Sequence, residues 1–514
     1  MKLNFLENTK RNVVAGAINR ITSLLLFFLN RTLFLRLMGA DYLGLNSFFT
    51  SILGVLTLAE LGFETAIVCS MYKPIADDDR SLICAYLHFY RTIYRWVGSV
   101  IFVLGLFLLP CLRYLVHGKI PADANLYILF LIHLFNTSIS YFLFAYRGSI
   151  LSAHQRNDVL TNINTKIHIV RFIAESTVLF LTRNYYYYLV VTVLFTLLRN
   201  LLILQESRRF FPNILPNGKV PSEKKGKVLS DVKSIFLHKF GGVISNQIDN
   251  VVLSAFLGLV VVASYGNYSY VCIAAAWLPG LVYSSLSGGF GNKIHTESKE
   301  KNFRLFLSVC RIVGIITIWC SAMMLALYQP FISTWVGKDQ ELMQHTLTPI
   351  LMVLYFYINQ SRQVLLNFKS GASLWQEDQW KPVVGSIVKL FLCLLFIIVL
   401  PEKYKIDGVI LSSIIEYVCV QIPWETHIVF TAFFDRMQSK EYWHQQALLM
   451  LIALLICTIT WSMTTAIPLT HIWGLLVKGV VASLISGILI ATFFLKEIKS
   501  VMTKGFTGMP SSFF

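Results

Sequence analysis

Residues 13–36 read VVAGAINRITSLLLFFLNRTLFLR, an apolar stretch long enough to span a membrane as a helix, and it contains an Asn-Arg pair twice. The pairs are Asn19-Arg20 and Asn30-Arg31. Their spacing of about three helical turns places both arginines on one stripe of the helix. An arginine at the centre of a bilayer costs about 2.5–3.5 kcal/mol on insertion scales. We therefore expect this stripe to face protein, water or an anionic ligand.

The composition indicates a polytopic membrane protein. Of the 514 residues, 55% are hydrophobic and 14% are charged, and the mean hydropathy is +0.62, so a soluble fold would expose too much apolar surface. The first apolar segment is too long for a secretory signal, is interrupted by Arg20 and Arg31 and lacks a small-residue cleavage site, so we expect a retained helix. The nine cysteines have no paired spacing and are expected to be buried thiols, with no metal site.

Apolar segments between polar breaks predict about fourteen membrane helices. Their approximate spans are 13–36, 42–70, 84–112, 124–150, 160–182, 185–205, 235–258, 266–290, 304–329, 345–368, 382–400, 407–433, 446–466 and 471–495. An even number places both termini on one side, and most of the 44 Lys and Arg residues fall there. The positive-inside rule then predicts cytoplasmic termini in a bacterial cytoplasmic membrane. The same topology explains the net charge of +17 without nucleic acid.

The chain also has the pattern of two similar halves. Residues 37–46 read LMGADYLGLN, and in the second half LGL at 257–259 precedes YGNY at 265–268. Each half thus opens with a polar-containing helix, a glycine turn and a second helix, a pseudo-repeat typical of transporters. We predict an N-terminal six-helix lobe at 1–210, a linker rich in Pro, Lys and Ser at 211–234 and a C-terminal six-helix lobe at 235–435. Two additional helices follow at 440–495, and a cytoplasmic tail at 496–514.

Further motifs accompany LMGADYLGLN between residues 10 and 430. They are LAELG at 58–62, YKPIAD at 72–77, HKFGG at 238–242 with Asp249-Asn250, YFYINQSRQ at 355–363 and DQWKP at 378–382. In combination they resemble the Wzx-type oligosaccharide flippases of the multidrug/oligosaccharidyl-lipid/polysaccharide exporter superfamily. The sequence departs from that family at Gly385 and Lys389, where an acidic residue and an asparagine are expected, and at Thr426, where a proline usually follows Glu425.

This resemblance implies an all-α polytopic membrane protein with two six-helix lobes around a central cavity. It also implies alternating access and export of an undecaprenyl-diphosphate-linked oligosaccharide for O-antigen, capsule or exopolysaccharide assembly. Such a cargo needs cations for its phosphates. The candidate diphosphate ligands are Arg20, Arg31 and Arg36 in the first helix and Arg362 in the tenth, since a guanidinium pairs phosphate oxygens bidentately. The alternative is that these arginines pair with carboxylates elsewhere in the bundle.

Three acids in apolar segments are candidates for charge balance or ion coupling. Glu60 and Glu64 lie one turn apart on the predicted second helix, so they either neutralise the first-helix arginines or carry H⁺ or Na⁺. Asp249, with Asn246, Gln247 and Asn250 beside it in the sequence, is either a coupling-ion site or part of a buried hydrogen-bond network. No other cofactor is expected. Arg171 and Glu175, also one turn apart, are predicted to pair with each other.

The candidate sugar contacts are Tyr268, Tyr355, Asn359 and Gln360, with interfacial anchoring as the alternative for the tyrosines. The run from Tyr185 to Tyr188 fits an aromatic belt at the external interface. For the lipid tail, the last two helices are almost uncharged. Extra C-terminal helices form a lipid groove in the related lipid II flippases, which applies here only by analogy.

Two other functions fit parts of the sequence. A drug or cation exporter of the same superfamily would share the fold, but its cavity should be acidic, which Arg20 and Arg31 oppose. A membrane-embedded glycosyl- or acyltransferase would need a clustered acid/base or His site, whereas His133, His168 and His471 are isolated. We therefore expect a transporter in contact with membrane lipids, not an enzyme, with a polysaccharide polymerase and glycosyltransferases as candidate partners.

Overall fold

The computed structural model describes residues 5–60, 62–117, 120–283, 297–337, 340–372, 374, 380–467 and 472–504. Within these ranges the chain is almost entirely helical and has no β-strand, so the prediction of an all-α fold is confirmed. The chain divides into two compact units, Met1–Ala263 and Ser264–Phe514.

The N-terminal unit consists of α1 to α9 and the start of α10. Their bounds are α1 Phe5–Met38, α2 Ala40–Leu56, α3 Phe63–Ala76, α4 Arg80–Leu108, α5 Leu126–Phe142, α6 Gly148–Ala153, α7 Asn157–Thr182, α8 Tyr185–Phe210, α9 Ser222–Phe256 and α10 Leu259–Ala275. Asparagine side chains cap two of these helices: Asn125 accepts from the first N–H groups of α5, and Asn184 accepts from those of α8. In packing, α1 lies along α7, α4 against α5 and α2 against α9.

Glycine turns open both halves, as the sequence predicts. Gly39 between α1 and α2 has φ 89°, and Gly258 between α9 and α10 has φ 92°, a region that residues with a Cβ rarely adopt. A third such residue, Gly62 with φ 93°, breaks the predicted helix 42–70. The chain there forms α2, a 3₁₀ turn at Thr57–Glu60 and then α3. The expectation that Glu60 and Glu64 share one helix face is therefore wrong.

The helix α9 extends into the segment predicted as an interlobe linker. It begins at Ser222, which leaves residues 211–221 outside a helix instead of the whole of 211–234. Because α9 packs against α2 and α3, it belongs to the N-terminal unit. The two compact units adjoin in the sequence at Ala263 and Ser264, and the predicted lobe boundaries stay a prediction.

The C-terminal unit is organised around α11, which packs against α12, α16 and α17. Its helices are α11 Lys299–Val336, α12 Leu347–Gly371, α13 Lys381–Val399, α14 Lys405–Glu416, α15 Ile422–Ala432, α16 Arg436–Thr465 and α17 Ile472–Lys504, with a π-helix at Tyr417–Gln421 joining α14 to α15. Aromatic side chains fill one core, where Phe306 and Phe368 pack with Phe430 and Phe434. The predicted additional pair, α16 and α17, thus packs within this unit.

The exposed surface matches a membrane environment. Among the described residues, nine helices are long and apolar enough to cross a membrane, or ten if the pair 126–142 and 145–153, bent by 46°, forms one span. Large apolar side chains such as Ile398 and Phe180 are 77% and 71% exposed, which lipid would cover. The chain is a multi-pass membrane protein, and the number of fourteen spans stays a prediction. Six of the nine free cysteines are buried, whereas Cys69, Cys111 and Cys419 are exposed.

Candidate functional site

A polar cavity of about 250 Å³ lies within the N-terminal unit, between α1, α2, α5, α7 and α8. We call it the N-terminal cavity. It is lined by Phe27, Asn30, Arg31, Phe34, Leu43, Asn46, Thr50, His133, Asn136, Arg171, Tyr188, Leu189 and Thr192. Of these lining residues, Arg31 and Arg171 carry a formal charge and both are cations. A cavity with this lining favours an anionic ligand.

Arg31 is held in the wall of this cavity. Its side chain is buried, with the residue 8% exposed, and its guanidinium donates to the backbone carbonyl of Ala263 in α10 at 2.9 Å. Arg20 and Arg36 on the same helix are exposed and do not line the cavity. Arg20 lies on the same stripe of α1 as Arg31. The two arginines differ because the backbone at Ala263 contacts α1 at Arg31. The predicted roles of Arg20 and Arg36 as diphosphate ligands stay predictions.

Arg171 and Glu175 form the predicted pair, with Nε 2.6 Å from Oε1. Glu175 is 1% exposed and also accepts from Thr192 Oγ1 at 2.7 Å and from Asn30 Nδ2 at 3.3 Å. The carboxylate is thereby surrounded by donors from three helices, which is what a buried charge needs. The pairing predicted from the spacing of the two residues is confirmed.

Hydrogen bonds between α5, α8 and α2 fix another part of the cavity wall. His133 Nε2 lies 2.9 Å from the Tyr185 hydroxyl, which donates to Asn46 Oδ1 at 3.0 Å. Tyr185 and Tyr188 are 1% and 6% exposed and both contact the ring of Phe34. The expectation that the four tyrosines form an external belt is therefore wrong for these two, whereas Tyr187 is 58% exposed.

Polar side chains join α1 to α7 along most of their length. Asn19 Nδ2 donates to Thr165 Oγ1 at 2.9 Å, Ser23 Oγ lies 3.2 Å from His168 Nδ1, and Asn30 bonds Glu175. At one end, Asn12 accepts from the N–H of Asp158 at 2.7 Å. The asparagine of each Asn-Arg pair thus faces α7. This polar seam positions Arg31 beside the cavity, and sequence reasoning centred on the arginines missed it.

The candidate acids have partners other than those expected. The two carboxylate oxygens of Glu60 accept from the hydroxyls of Tyr94 in α4 and Tyr141 in α5. Tyrosine hydroxyls, not the first-helix arginines, therefore surround it. Glu64 is exposed.

Asp249 is 5% exposed on α9. The polar residues near it in sequence point in different directions. Asn250 donates to Ser51 of α2 at 2.9 Å, the side chain of Gln247 lies next to the position that a Cβ on Gly54 of α2 would take, and Asn246 is exposed. These four residues therefore do not form a single oxygen-rich patch.

Arg362 is part of a buried charge cluster in the C-terminal unit. Its Nη2 and Nε donate to Glu425 at 2.7 and 3.0 Å, and Nη2 also donates to Gln421 at 3.0 Å. Lys381 bonds the same carboxylate, which has no exposed surface. The arrangement matches the alternative considered for Arg362, pairing with a carboxylate of the bundle.

The departures from the family pattern fit this cluster. A Cβ at Gly385 would overlap the side chains of Gln421 and Glu416, so this position has no room for an acidic side chain. Lys389 is buried at 3% exposure, and the Glu416 carboxylate accepts from Gln421. The π-helix brings Glu416 and Gln421 together, because a π turn places residues five apart on one face.

The four candidate sugar contacts have different surroundings. Tyr268 has no exposed surface, and its hydroxyl donates to Gln329 and accepts from the N–H of Gln344, so this hydroxyl has its partners within the protein. Gln360 is 3% exposed. Asn359 is half-buried and accepts from Gln363, and Tyr355 stacks on Tyr417 with centroids 5.6 Å apart. Sugar contact by these four residues stays a prediction.

The profile of a family described as polysaccharide biosynthesis protein matches residues 9–287, more than half of the chain. The chain belongs to the polysaccharide biosynthesis protein family. Among curated proteins, none matches this family member significantly in sequence.

Solved structures place this polysaccharide biosynthesis family member in a known fold. Lipid II flippase MurJ in an inward closed conformation superposes with a TM-score of 0.66 at 15% identity, over 95% of this chain and 100% of MurJ. An inward-facing multidrug resistance MATE family transporter gives 0.58 at 13% identity, over 81% and 98%. A transporter from Pyrococcus furiosus, described as having a binding pocket of reverse polarity, gives 0.52 at 12%, over 82% and 96%. The chain thus has the fold of these flippases and transporters, and the predicted membership of a polysaccharide-related family is confirmed.

Proposed function

We propose that this chain translocates undecaprenyl-diphosphate-linked oligosaccharide repeat units across the cytoplasmic membrane for surface polysaccharide assembly. Two lines support the proposal: membership of a polysaccharide biosynthesis family and a fold shared with a lipid II flippase. The observation that carries it is the charge of the N-terminal cavity, where Arg31 and Arg171 line one space. In this proposal, the guanidinium of Arg31 binds a phosphate of the diphosphate.

The role of Arg171 differs from that of Arg31. Glu175 already accepts from Arg171 at 2.6 Å, so most of its charge is balanced inside the protein. Arg171 then contributes a positive face to the cavity while its position is fixed by Glu175 and by Thr192 at 3.4 Å. Arg31 is buried in the cavity wall, and its guanidinium has the planar geometry that pairs phosphate oxygens bidentately.

The same lining disfavours the cation exporter. The lining of this space includes two arginines and no carboxylate, so it offers an organic cation no side chain of opposite charge. An anionic diphosphate gains there, and moving it outward is also favoured by the membrane potential, by about 2.3 kcal/mol per negative charge and 100 mV. Alternating access keeps this gain if the arginines stay at a fixed depth while the two halves of the protein rearrange around them.

An ion gradient is a second source of energy for the cycle. Glu60 and Asp249 are the proposed coupling residues, since both are acids in segments whose sequence predicts a membrane span, and Asp249 is 5% exposed. Coupling is tested by imposing pH and Na⁺ gradients separately across proteoliposomes. A rate that does not respond to either gradient excludes it.

The proposed orientation places both termini in the cytoplasm. It follows from the predicted excess of Lys and Arg on that side. In this orientation the polymerase and the glycosyltransferases of the pathway are candidate partners on opposite sides of the membrane. Cysteine substitutions in the segment 211–221 and labelling with an impermeant maleimide test the orientation, with labelling from the cytoplasmic side expected.

The function itself is tested with the purified full-length chain in proteoliposomes that contain a labelled polyprenyl-diphosphate oligosaccharide. Translocation is followed by the access of an impermeant glycosidase to the sugar. We expect access to rise with time only in vesicles that contain the protein. Unchanged access, together with uptake of a fluorescent organic cation by the same vesicles, would support the cation exporter instead.

A further inference from the structure

A histidine and an aspartate meet at one end of the C-terminal unit, away from the charge cluster of Arg362. His345 lies directly before α12, and Asp407 lies in the first turn of α14. The imidazole Nε2 is 2.9 Å from Oδ2 of Asp407. Asp407 is 4% exposed, and the side chain of His345 is 19% exposed. The two side chains therefore connect the beginnings of two helices in a position that is largely shielded from solvent.

The two carboxylate oxygens of Asp407 have different partners. Oδ1 accepts from Thr348 Oγ1 of α12 at 2.7 Å. Oδ2 accepts no hydrogen bond from the described residues, and the ring of His345 is the group that faces it. A buried carboxylate needs compensation of its charge, and a neutral hydroxyl at one oxygen supplies only part of it. Compensation at Oδ2 therefore depends on whether the His345 ring is charged.

The neighbours of the His345 ring define its neutral form. Besides Asp407 Oδ2, Nε2 lies 3.1 Å from the carbonyl oxygen of Lys403. Both neighbours are acceptors, so Nε2 carries the hydrogen of the neutral ring. Nδ1 is shielded and has no hydrogen bond within the described residues. A proton added at Nδ1 turns the ring into a cation beside a carboxylate, and an imidazole makes this change between about pH 5 and 8.

The other groups around the pair contribute less to its charge balance. The ring of Tyr404 lies 4.9 Å from that of His345, and a tyrosine is neutral in this pH range. At the end of α13, Phe396 and Leu400 pack at Gly408, beside Asp407. The nearby charged residues lie in the surrounding turns and are exposed or half-buried, so water screens them. They are Glu341, Glu402, Lys403 and Lys405.

The chain that leads to His345 is fixed by bonds that do not titrate in this range. The N–H of Gln344 donates to the Tyr268 hydroxyl at 3.1 Å, and Gln344 Nε2 donates to Ser264 Oγ at 3.0 Å. Amides and hydroxyls keep their protons between about pH 5 and 8. One side of this segment is thus held at every pH in that range, whereas its ion pair with α14 requires the protonated ring of His345.

We propose that His345 and Asp407 form a pH-sensitive latch, which joins the segment before α12 to the start of α14 at low pH and weakens as the pH rises. A histidine whose charge is compensated in the folded state adds stability at low pH, and this contribution is lost as the pH rises. An odd number of predicted spans precedes each residue, so in the proposed orientation this end of the unit faces the outside of the cell. The proton that closes the latch then comes from the external medium.

The test is hydrogen exchange of the full-length chain in nanodiscs at about pH 5.5 and about pH 8, with each variant compared with the unchanged chain at the same pH. His345→Gln keeps a neutral donor for the Lys403 carbonyl but cannot gain a charge. At the lower pH we expect the amides of residues 342–348 and of the first turn of α14 to exchange about tenfold faster in this variant. At the higher pH the rates should agree within about twofold. Equal exchange at the lower pH, or the same acceleration at both pH values, would overturn the latch.

A variant of the partner residue checks the pairing independently. Asp407→Asn removes the negative charge and keeps an acceptor for Thr348. At the lower pH it should accelerate exchange about as much as His345→Gln does, and the double variant should show no further increase, because the two residues act as a unit. The control is His427→Gln in α15, where the histidine is exposed, and it should change exchange at neither pH. Additive effects in the double variant would contradict the pairing.

The latch and the proposed function are tested separately. If exchange depends on His345 and on pH as expected while proteoliposomes do not translocate the lipid-linked oligosaccharide, the latch stands and the proposed function is wrong. If translocation occurs while exchange does not depend on His345 at either pH, the function stands and the latch is wrong.

Discussion

Glu425 accepts two hydrogen bonds from Arg362, at 2.7 and 3.0 Å, and its carboxylate has no exposed surface. Lys381 bonds the same carboxylate, and the guanidinium of Arg362 lies 4.9 Å from the ring centroid of Tyr417. Removing one partner of such a buried ion pair destabilises the folded state, because the other charge stays buried without compensation.

Glu425→Gln should therefore lower the free energy of unfolding by about 3–5 kcal/mol. The measurement is thermal unfolding of the detergent-purified protein. Glu297→Gln is the control: Glu297 also pairs with a lysine, Lys301, at 3.0 Å, but the two side chains are 41% and 72% exposed, and such pairs contribute about 0–1 kcal/mol. Equal melting temperatures for the two variants would contradict the account of the cluster.

The polar seam between α1 and α7 gives a second prediction. Asn12→Ala removes the acceptor of the Asp158 N–H at 2.7 Å and the donor to the Gln155 carbonyl at 3.1 Å. We expect a loss of about 1–3 kcal/mol, because partly buried backbone groups lose their partners. Ile18 on α1 is 53% exposed, so Ile18→Ala should change the melting temperature less than Asn12→Ala does. A smaller effect of Asn12→Ala than of Ile18→Ala would show that the seam does not stabilise the helix pair.

The hydrogen bonds of Glu60 allow its structural role to be tested separately from a role in ion coupling. Tyr94→Phe and Tyr141→Phe each remove one donor to the carboxylate, and each should cost about 1–3 kcal/mol. Replacing Glu60 by Met in the double Phe variant removes both sides of the network and should recover most of that stability. If Glu60 couples transport to an ion gradient, this triple variant folds but no longer responds to the gradient. An unchanged response would exclude Glu60 as a coupling residue.

The N-cap of α4 gives a prediction for pH dependence. Asp79 accepts from the Leu82 N–H at 3.0 Å and from Ser81 Oγ at 2.8 Å, and these bonds lower the pKa of its carboxyl below the ordinary value. A lowered pKa in the folded state contributes stability above the unfolded pKa of about 3.9. That contribution is lost as the pH falls through the folded pKa.

Asp79→Asn keeps a capping acceptor but does not titrate. It should be less stable than the unchanged chain at pH 7, and the difference should start to shrink only below about pH 4 and disappear below the folded pKa of Asp79. Melting curves at pH 7 and at a series of pH values below about 4 check this. A difference that stays constant with pH would mean that the Asp79 charge does not stabilise the helix.

The sequence predicted local features better than long-range ones. Long apolar runs located the helices, and the i, i+4 spacing of Arg171 and Glu175 predicted their ion pair, because residues one turn apart on a helix are neighbours wherever the helix packs. The glycine turns at Gly39 and Gly258 were also predictable, because a positive φ in a turn is a local property that glycine allows. The break at Gly62 was not, since a single glycine is tolerated in many helices.

Partners distant in the chain could not be predicted from one sequence. Asn30 meets Glu175 and Tyr188, and Glu60 meets Tyr94 and Tyr141, through the packing of helices whose order in space the pattern does not specify. One signal was available for the polar seam: Asn12, Asn19, Ser23 and Asn30 recur at intervals of seven and four residues, a spacing that places them on one helix face.

The central claim, that Arg31 binds the phosphate of the cargo, is tested most directly by translocation in the proteoliposome assay. We expect Arg31→Ala to abolish translocation, with normal insertion and melting temperature, and Arg31→Lys to keep part of it, because lysine retains the charge but not the bidentate geometry. Arg183→Ala, in the exposed turn between α7 and α8, should translocate at the unchanged rate. Translocation by correctly folded Arg31→Ala at that same rate would contradict the claim.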